Sequence, residues 1–188
     1  GALSLWVWPI CKTDENFLSN NNLTKGSMKL INSKELDDFK TKIKPSQFIA
    51  GGSVANSMVG LSSFGNNVCF SGKVNNDEFG KKYIQSLEIE KVEFDPKKKD
   101  ENEFTGTCFV LITPDGERTM CTYLGIANKL DENDINEKKI KDSELILIEG
   151  YLWDTESAKE GIQKSIDIAK KESTLVSLSL SDTFCVER

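Results

Sequence analysis

The chain has 188 residues, enough for one domain with a sizeable core, and its 38% hydrophobic and 29% charged content is ordinary for a globular protein. A net charge of −6 argues against a general nucleic-acid-binding surface, and the absence of histidine excludes His-based triads and leaves acid–base chemistry to carboxylates and lysines. Because no apolar run approaches the roughly 20 residues that span a bilayer, and the five cysteines form no C-x-x-C pair, we expect a cytoplasmic protein with free thiols and with neither a membrane nor a nucleic-acid partner.

The first part of the chain predicts short strands around one helix. Residues 1–10 lack an initiator Met and any charge, which indicates an altered or truncated end, and their apolar character predicts a buried strand ended by Pro9. A second short strand is expected at 27–31. Ser33 is expected to cap the helix that follows, and residues 47–50 form a brief third strand.

A glycine pair, Gly51-Gly52, opens the stretch that we expect a ligand to meet. Ser53 is a good N-cap residue, and an apolar run at helical spacing, 54–61, follows with Asn56 as the strongly polar side chain of its first turns. Such a turn has two physical uses. Its N–H groups and the helix dipole bind an anion, or its missing side chains let a ligand approach while Asn56 hydrogen-bonds the ligand's hydroxyls. The alternative is a tight turn that only needs glycine conformations.

The rest of the chain alternates strands and helices. We first expect a strand at 68–70, a second glycine site at Ser71-Gly72-Lys73, a helix from Asp77 and a charged loop at 93–103. A hairpin of 107–113 and 118–124 follows around Pro114-Asp115-Gly116. After it we expect a helix at 131–140, a strand at 145–148, a helix at 155–172 and a strand at 174–180. The last three elements predict a right-handed βαβ unit. Neither a P-loop nor a G-x-G-x-x-G dinucleotide fingerprint occurs, which disfavours a nicotinamide-dependent oxidoreductase.

Four ordered stretches carry a family resemblance. They are GGSVANS at 51–57, SGKVNNDEFG at 71–80, TGTCFVLITPDGERTM ending at Met120, and SLSDTFCVER at 179–188. Together they make residues 11–188 resemble the amino-terminal part of the ribokinase-like (PfkB) carbohydrate and nucleoside kinases, in particular the adenosine kinase-like branch.

The resemblance implies a fold and an activity. The fold would be α/β, an incomplete ribokinase-like three-layer Rossmann-type sheet with a small β lid built from about 24–32, 46–51 and 104–125. Residues 1–188 would be the amino-terminal part of the kinase domain, without the carboxy-terminal nucleotide-binding half. The full-length parent would use ATP and Mg to phosphorylate a hydroxyl of a nucleoside or sugar, as a monomer or a lid-mediated homodimer.

The resemblance also implies roles for particular residues. Those that would bind the acceptor around the glycine turn are Gly51, Gly52, Ser53 and Asn56, and those that would form the apolar cover of the lid are Met28, Cys108 and Met120. Arg118 would contact phosphate as the lid closes; its other interpretation is an exposed arginine paired with Glu117 or solvent. Asp77 matches the second signature, and a helix cap is its other interpretation.

Two features depart from the family pattern. The aspartate that binds a sugar diol falls near Trp8 when the sequence is aligned backward from Phe17, and residues 1–10 hold no acid. The G-A-G-D stretch with the general-base aspartate would lie beyond residue 188, so we assign this chain no catalytic residue and no metal ligand. We therefore expect little or no kinase activity from these residues alone. The alternative function is a non-catalytic sugar- or nucleoside-binding or interaction module.

Overall fold

The computed structural model describes residues 6–96, 103–181 and 183–187. The strands in these residues are β1 (Trp6–Lys12), β2 (Met28–Leu30), β3 (Gln47–Gly51), β4 (Cys69–Gly72), β5 (Glu93–Pro96), β6 (Thr107–Ile112), β7 (Arg118–Tyr123), β8 (Leu145–Glu149) and β9 (Leu175–Ser179). The α-helices are α1 (Glu15–Asn20), α2 (Ser33–Lys42), α3 (Ser53–Ser63), α4 (Glu78–Ile89), α5 (Glu137–Lys141), α6 (Glu156–Glu172) and α7 (Thr183–Val186). Short 3₁₀ helices lie at Gly125–Lys129, Glu132–Asp134 and Gly150–Asp154.

The largest sheet has five strands in the order β2-β7-β6-β1-β3. Its pairing is mixed, since β1 is antiparallel to β3 and parallel to β6, while β7 is antiparallel to β6 and parallel to β2. The predicted hairpin is confirmed: β6 and β7 pair from Thr107–Tyr123 to Ile112–Arg118. Gly116, with φ +85, closes its turn by donating its N–H to the carbonyl of Thr113 at 2.9 Å.

The two faces of this sheet differ. One face packs on α2, α3 and α4 and contributes to the main hydrophobic core, with buried sheet residues Val7, Cys11, Phe109, Leu111, Cys121 and Tyr123. Alternation along the strands directs the other residues to the opposite side. We call that side the open face and define it by Trp8, Ile10, Met28, Leu30, Ile49, Cys108, Val110, Met120 and Thr122. Met28, Leu30 and Ile49 are exposed there.

A second unit follows the five-stranded sheet. β8 and β9 are parallel and joined by α6, which confirms the predicted βαβ unit. The apolar side of α6 packs on β8 and forms a separate apolar cluster, which includes Ile146, Ile148, Ala158 and Ile162. This arrangement brings the carboxyl end of β8 next to the start of α3.

Pro9 does not end the first strand, so that prediction was wrong. β1 runs on to Lys12, and Pro9 pairs with Phe48 of β3. Between β1 and β6, the Val7–Thr107 pair is followed directly by the Ile10–Val110 pair, with no pair at Trp8 or Pro9. A proline lacks the N–H that a ladder on both sides needs, and the gap in pairing at this position accommodates it. Residues 1–5 of the predicted strand lie outside the described part.

Two further predictions need correction. Residues 93–96 form β5, parallel to β4, although their charge predicted a loop; residues 97–102 of that loop are outside the described ranges. The expected helix at 131–140 is divided into a 3₁₀ turn and the short α5. In 93–96, pairing with β4 outweighed the charge of the segment. In 131–140, the side chains of Asp131 and Asn136 cap two separate short helices.

Two helix caps also differ from prediction by one residue. Asn32, not Ser33, caps α2, and it forms a capping box with Glu35. Gly52, not Ser53, is the N-cap of α3, and it provides no side-chain hydrogen bond. Ser53 is therefore free to make a different contact.

Candidate functional site

The strand β3 passes into α3 through the glycine pair. Gly52 has φ +111, a conformation that L side chains rarely adopt, so glycine is required there. Both glycines are buried, and the first turn of α3 closes with a 3.0 Å hydrogen bond from the Asn56 N–H to the Gly52 carbonyl. The turn thus presents backbone, not side chains, at the start of a helix.

Gly51 is required for a different reason. A Cβ placed on Gly51 would lie 2.6 Å from Cε2 and 2.7 Å from Nε1 of Trp8, so the indole ring lies directly against this glycine. Trp8 is half-buried, and its strand pairs Trp8 with Ile49 on the open face. An aromatic ring therefore stands at the junction of the glycine turn and the open face, at the position where the family resemblance expects an acid.

Asn56 and Ser53 both lie on α3 close to this turn. The Asn56 side chain is exposed one helical turn after Gly52, where its amide is accessible to a ligand. Ser53 is also exposed, but its Oγ donates a hydrogen bond to Oε2 of Glu149. Ser53 is thus engaged by another part of the chain.

Glu149 was not identified from the sequence. It is the last residue of β8 and is 0% exposed, and its other oxygen, Oε1, accepts a hydrogen bond from Oγ of Ser181. The signal in the sequence was a single acid at the end of the apolar run LILIE. Because ligands of α/β folds bind beyond the carboxyl ends of parallel strands, an acid at that place is a site candidate.

The open face brings together the three residues expected to cover an acceptor. Met28 pairs directly with Met120, and Met28 is 54% exposed. Cys108 is 3% exposed and its sulfur accepts a 3.3 Å hydrogen bond from Thr122. Burial raises the pKa of Cys108 to about 11. The two methionines are therefore accessible to a ligand, while Cys108 is mostly covered.

Arg118 lies away from the glycine turn. It is exposed at the first position of β7, level with Ile112, whereas the Gly51 end of the sheet is level with the other end of β7. Arg118 and the Gly51 end of the sheet are therefore six residues apart along the strand direction, which corresponds to about 20 Å. The backbone N–H of Arg118 donates a hydrogen bond to Oε1 of Glu117, with the nitrogen and oxygen 3.4 Å apart. The structure therefore places Arg118 away from the Gly51 end of the sheet, two residues before Met120 on the same strand.

Asp77 acts as a helix cap in the structure. Its Oδ1 accepts 2.7 Å hydrogen bonds from the Gly80 N–H and from the Thr105 hydroxyl, and its Oδ2 accepts one from the Thr105 N–H. These contacts fix the start of α4 to the segment before β6. With both oxygens engaged in this way, Asp77 has a structural explanation.

The described residues contain neither a metal-binding cluster nor a membrane-spanning helix. Within these ranges, no three His, Cys, Asp or Glu side chains are grouped so that they could hold a metal ion. None of the helices described combines the length and apolar character that crossing a bilayer demands.

Comparisons with known proteins agree on one family. A model of the pfkB family carbohydrate kinases matches residues 26–186. A curated relative, the 5-dehydro-2-deoxygluconokinase of Clostridium botulinum, is 38% identical over 129 residues, which are 67% of this chain and 38% of the relative. The adenosine kinase of Sinorhizobium meliloti aligns with 100% of this chain and 57% of its own, with a TM-score of 0.84 and 32% identity.

A probable sugar kinase from Rhizobium etli gives the same TM-score, 0.84, at 30% identity, with 100% of this chain and 57% of its own covered. The expected α/β, ribokinase-like fold class is confirmed by these neighbours and by the mixed sheet of the chain. The chain spans 38% of the curated relative and 57% of the two solved structures. Because the family model covers most of its length, the chain belongs to the pfkB family of carbohydrate kinases.

Proposed function

We propose that the chain forms the acceptor-binding part of an ATP-dependent kinase that phosphorylates a hydroxyl of a nucleoside or sugar. The observation that carries this proposal is the glycine turn at Gly52, with the exposed amide of Asn56 one helical turn later and the open face beside it. Relatives that match this chain are named as kinases of a nucleoside and of a sugar derivative, which supports the same reaction class.

Each part of the site suits one part of a polyhydroxylated acceptor. Gly52 lacks a side chain, so a hydroxyl can approach its backbone closely, while Gly51 makes room for the indole of Trp8. The Asn56 amide offers both a donor and an acceptor, which matches a hydroxyl in either role. The exposed methionine Met28 and its neighbour Met120 supply adaptable apolar contacts for a ring or base. The five-stranded sheet would then act as the lid.

The transfer step needs groups that we do not assign to this chain. Mg-ATP supplies the phosphoryl group in such a reaction, and a carboxylate removes the proton of the acceptor hydroxyl. The sequence contains no G-A-G-D stretch. We therefore propose that residues 1–188 by themselves bind and orient an acceptor without appreciable turnover.

Isothermal titration of the chain with adenosine, ribose and fructose tests this proposal. We expect one of them to bind and Asn56→Ala to weaken that binding by tenfold or more, since a hydrogen bond in a partly buried site is lost. Gln85→Ala, which removes an exposed amide from α4, is the matched control and should leave binding unchanged. ADP release should stay at the background rate. Absence of binding by all three ligands would contradict the proposal.

The compartment and assembly are proposed on separate grounds. The thiols of Cys11, Cys108 and Cys121 are buried and not in disulfides, which supports a reducing cytoplasm. The exposed Met28 and Leu30 on the open face would be covered by the acceptor, or by a second copy of the chain in a lid-mediated homodimer.

A further inference from the structure

A buried carboxylate lies beneath the glycine turn. Glu149 is completely excluded from solvent, and each of its oxygens accepts a hydrogen bond from a serine hydroxyl, Ser53 on one side and Ser181 on the other. Both oxygens of the carboxyl group are therefore used as hydrogen-bond acceptors. Among the ion pairs recorded between described residues, none includes Glu149.

This carboxylate sits at the start of α3. Ser53, its partner, is the first residue of that 11-residue helix, so the negative charge lies at the positive end of the helix dipole. The sequence of α3, SVANSMVGLSS, contains no charged side chain that would offset Glu149. A helix start is the usual place for a phosphate or carboxylate of a ligand, and here the chain's own carboxylate is tied to the first residue of the helix through the Ser53 hydroxyl.

We propose that Glu149 makes the acceptor site selective for uncharged acceptors. An acceptor that carries a phosphate or carboxylate on the groups facing Gly52 and Asn56 would meet like charge, and α3 carries no basic side chain that would compensate for it. A neutral diol would not, and it can still use the Asn56 amide. This inference rests on the acceptor site proposed above and adds its charge preference.

The inference separates the two kinds of relative that match the chain. A gluconokinase is named for a sugar acid, whose carboxylate is ionised at neutral pH, whereas adenosine is neutral. Charge selection by Glu149 favours the neutral class. Of the two uses of the glycine turn considered from the sequence, it favours hydroxyl recognition over anion binding.

Titration calorimetry with matched ligand pairs tests the proposal. The neutral ligand is adenosine, and its anionic counterparts are adenosine 2′-monophosphate and adenosine 3′-monophosphate; 2′-O-methyladenosine adds bulk without charge. We expect the wild-type chain to bind the neutral member at least tenfold more tightly. In Glu149→Gln, which keeps the shape but removes the charge, the preference should fall by about tenfold.

Ser181→Ala is the matched control, because it alters the same hydrogen-bond network and keeps the charge of Glu149. It should retain the wild-type preference. Equal binding of neutral and anionic ligands by the wild-type chain would overturn the proposal without any variant, as would a preference that survives Glu149→Gln. If no neutral ligand binds at all, the acceptor site itself fails. Failure of charge selection alone appears instead as tight but indiscriminate binding.

Discussion

Replacing Gly51 by alanine tests the geometry of the glycine turn most directly. The new Cβ would lie 2.6 Å from Cε2 of Trp8, while ordinary carbon contacts begin near 3.5 Å, so the indole must move by about 1 Å. Forcing an extra methyl group into a packed place costs about 1–3 kcal/mol of unfolding free energy. For a chain of this size that corresponds to a fall of roughly 2–12 °C in Tm.

The assay is urea unfolding followed by far-UV circular dichroism, with Gly60→Ala as the matched control. Gly60 lies inside α3 and has nothing within 4 Å of its Cβ position. Alanine there should raise the unfolding free energy by about 0.5–1 kcal/mol, since it removes backbone freedom from the unfolded chain. The two Gly→Ala changes should therefore have opposite signs.

A double-mutant cycle with Trp8→Ala separates contact from general damage. If the indole is the obstacle, Gly51→Ala should be almost neutral in the Trp8→Ala background. An equal cost in both backgrounds, or a Gly51→Ala chain as stable as wild type, would show that Trp8 does not lie against Gly51.

Two further predictions concern buried charge and thiols. Lys73→Met should lower the unfolding free energy by about 3–5 kcal/mol, because Asp134 loses a buried ion pair of 2.6 Å. Lys138→Met removes a largely exposed pair and should cost less than about 1 kcal/mol in the same urea titration; equal costs would refute the reasoning. Burial raises the pKa of Cys108 to about 11 and that of Cys121 to about 12, from an ordinary 9.0. The unfolded chain therefore loses these protons first, so their contribution to stability is intact below pH 9 and lost as the pH rises towards 12. Urea titrations between pH 8 and 11 should show this decline and a smaller one for Cys121→Ala, and equal slopes would contradict it.

Features encoded by neighbouring residues were predictable from the sequence. The turn residues before Gly116 specify the hairpin, and the apolar stripe of α6 between two apolar runs specifies the βαβ unit. Two of the wrong predictions are ones in which a distant strand decides. Pro9 stays inside β1 because the ladder to β6 has a gap there, and 93–96 become a strand because β4 lies beside them.

The candidate site was predictable only in part for the same reason. The glycine pair and Asn56 are local in sequence and were found. Glu149 was missed because its partners are 96 and 32 residues away, and no local pattern announces such contacts. The family resemblance implied a phosphate contact for Arg118, and the register of β7 places this residue at the end of the sheet opposite Gly51, so its role stays a prediction.

Polar contacts cross between the two units of the chain. The main core and the α6–β8 cluster are separate, although Leu147 of β8 packs against the main core. Between them lie the hydrogen bond from Ser53 to Glu149 and the ion pair from Lys73 to Asp134. Apolar contacts tolerate small shifts, whereas such polar pairs are directional and are costly to break. Their physical role is therefore to fix orientation. The start of α3 is held from one side by Trp8 of the sheet and from the other by Glu149 of β8, so an acceptor that binds at Gly52 would be positioned by both units at once.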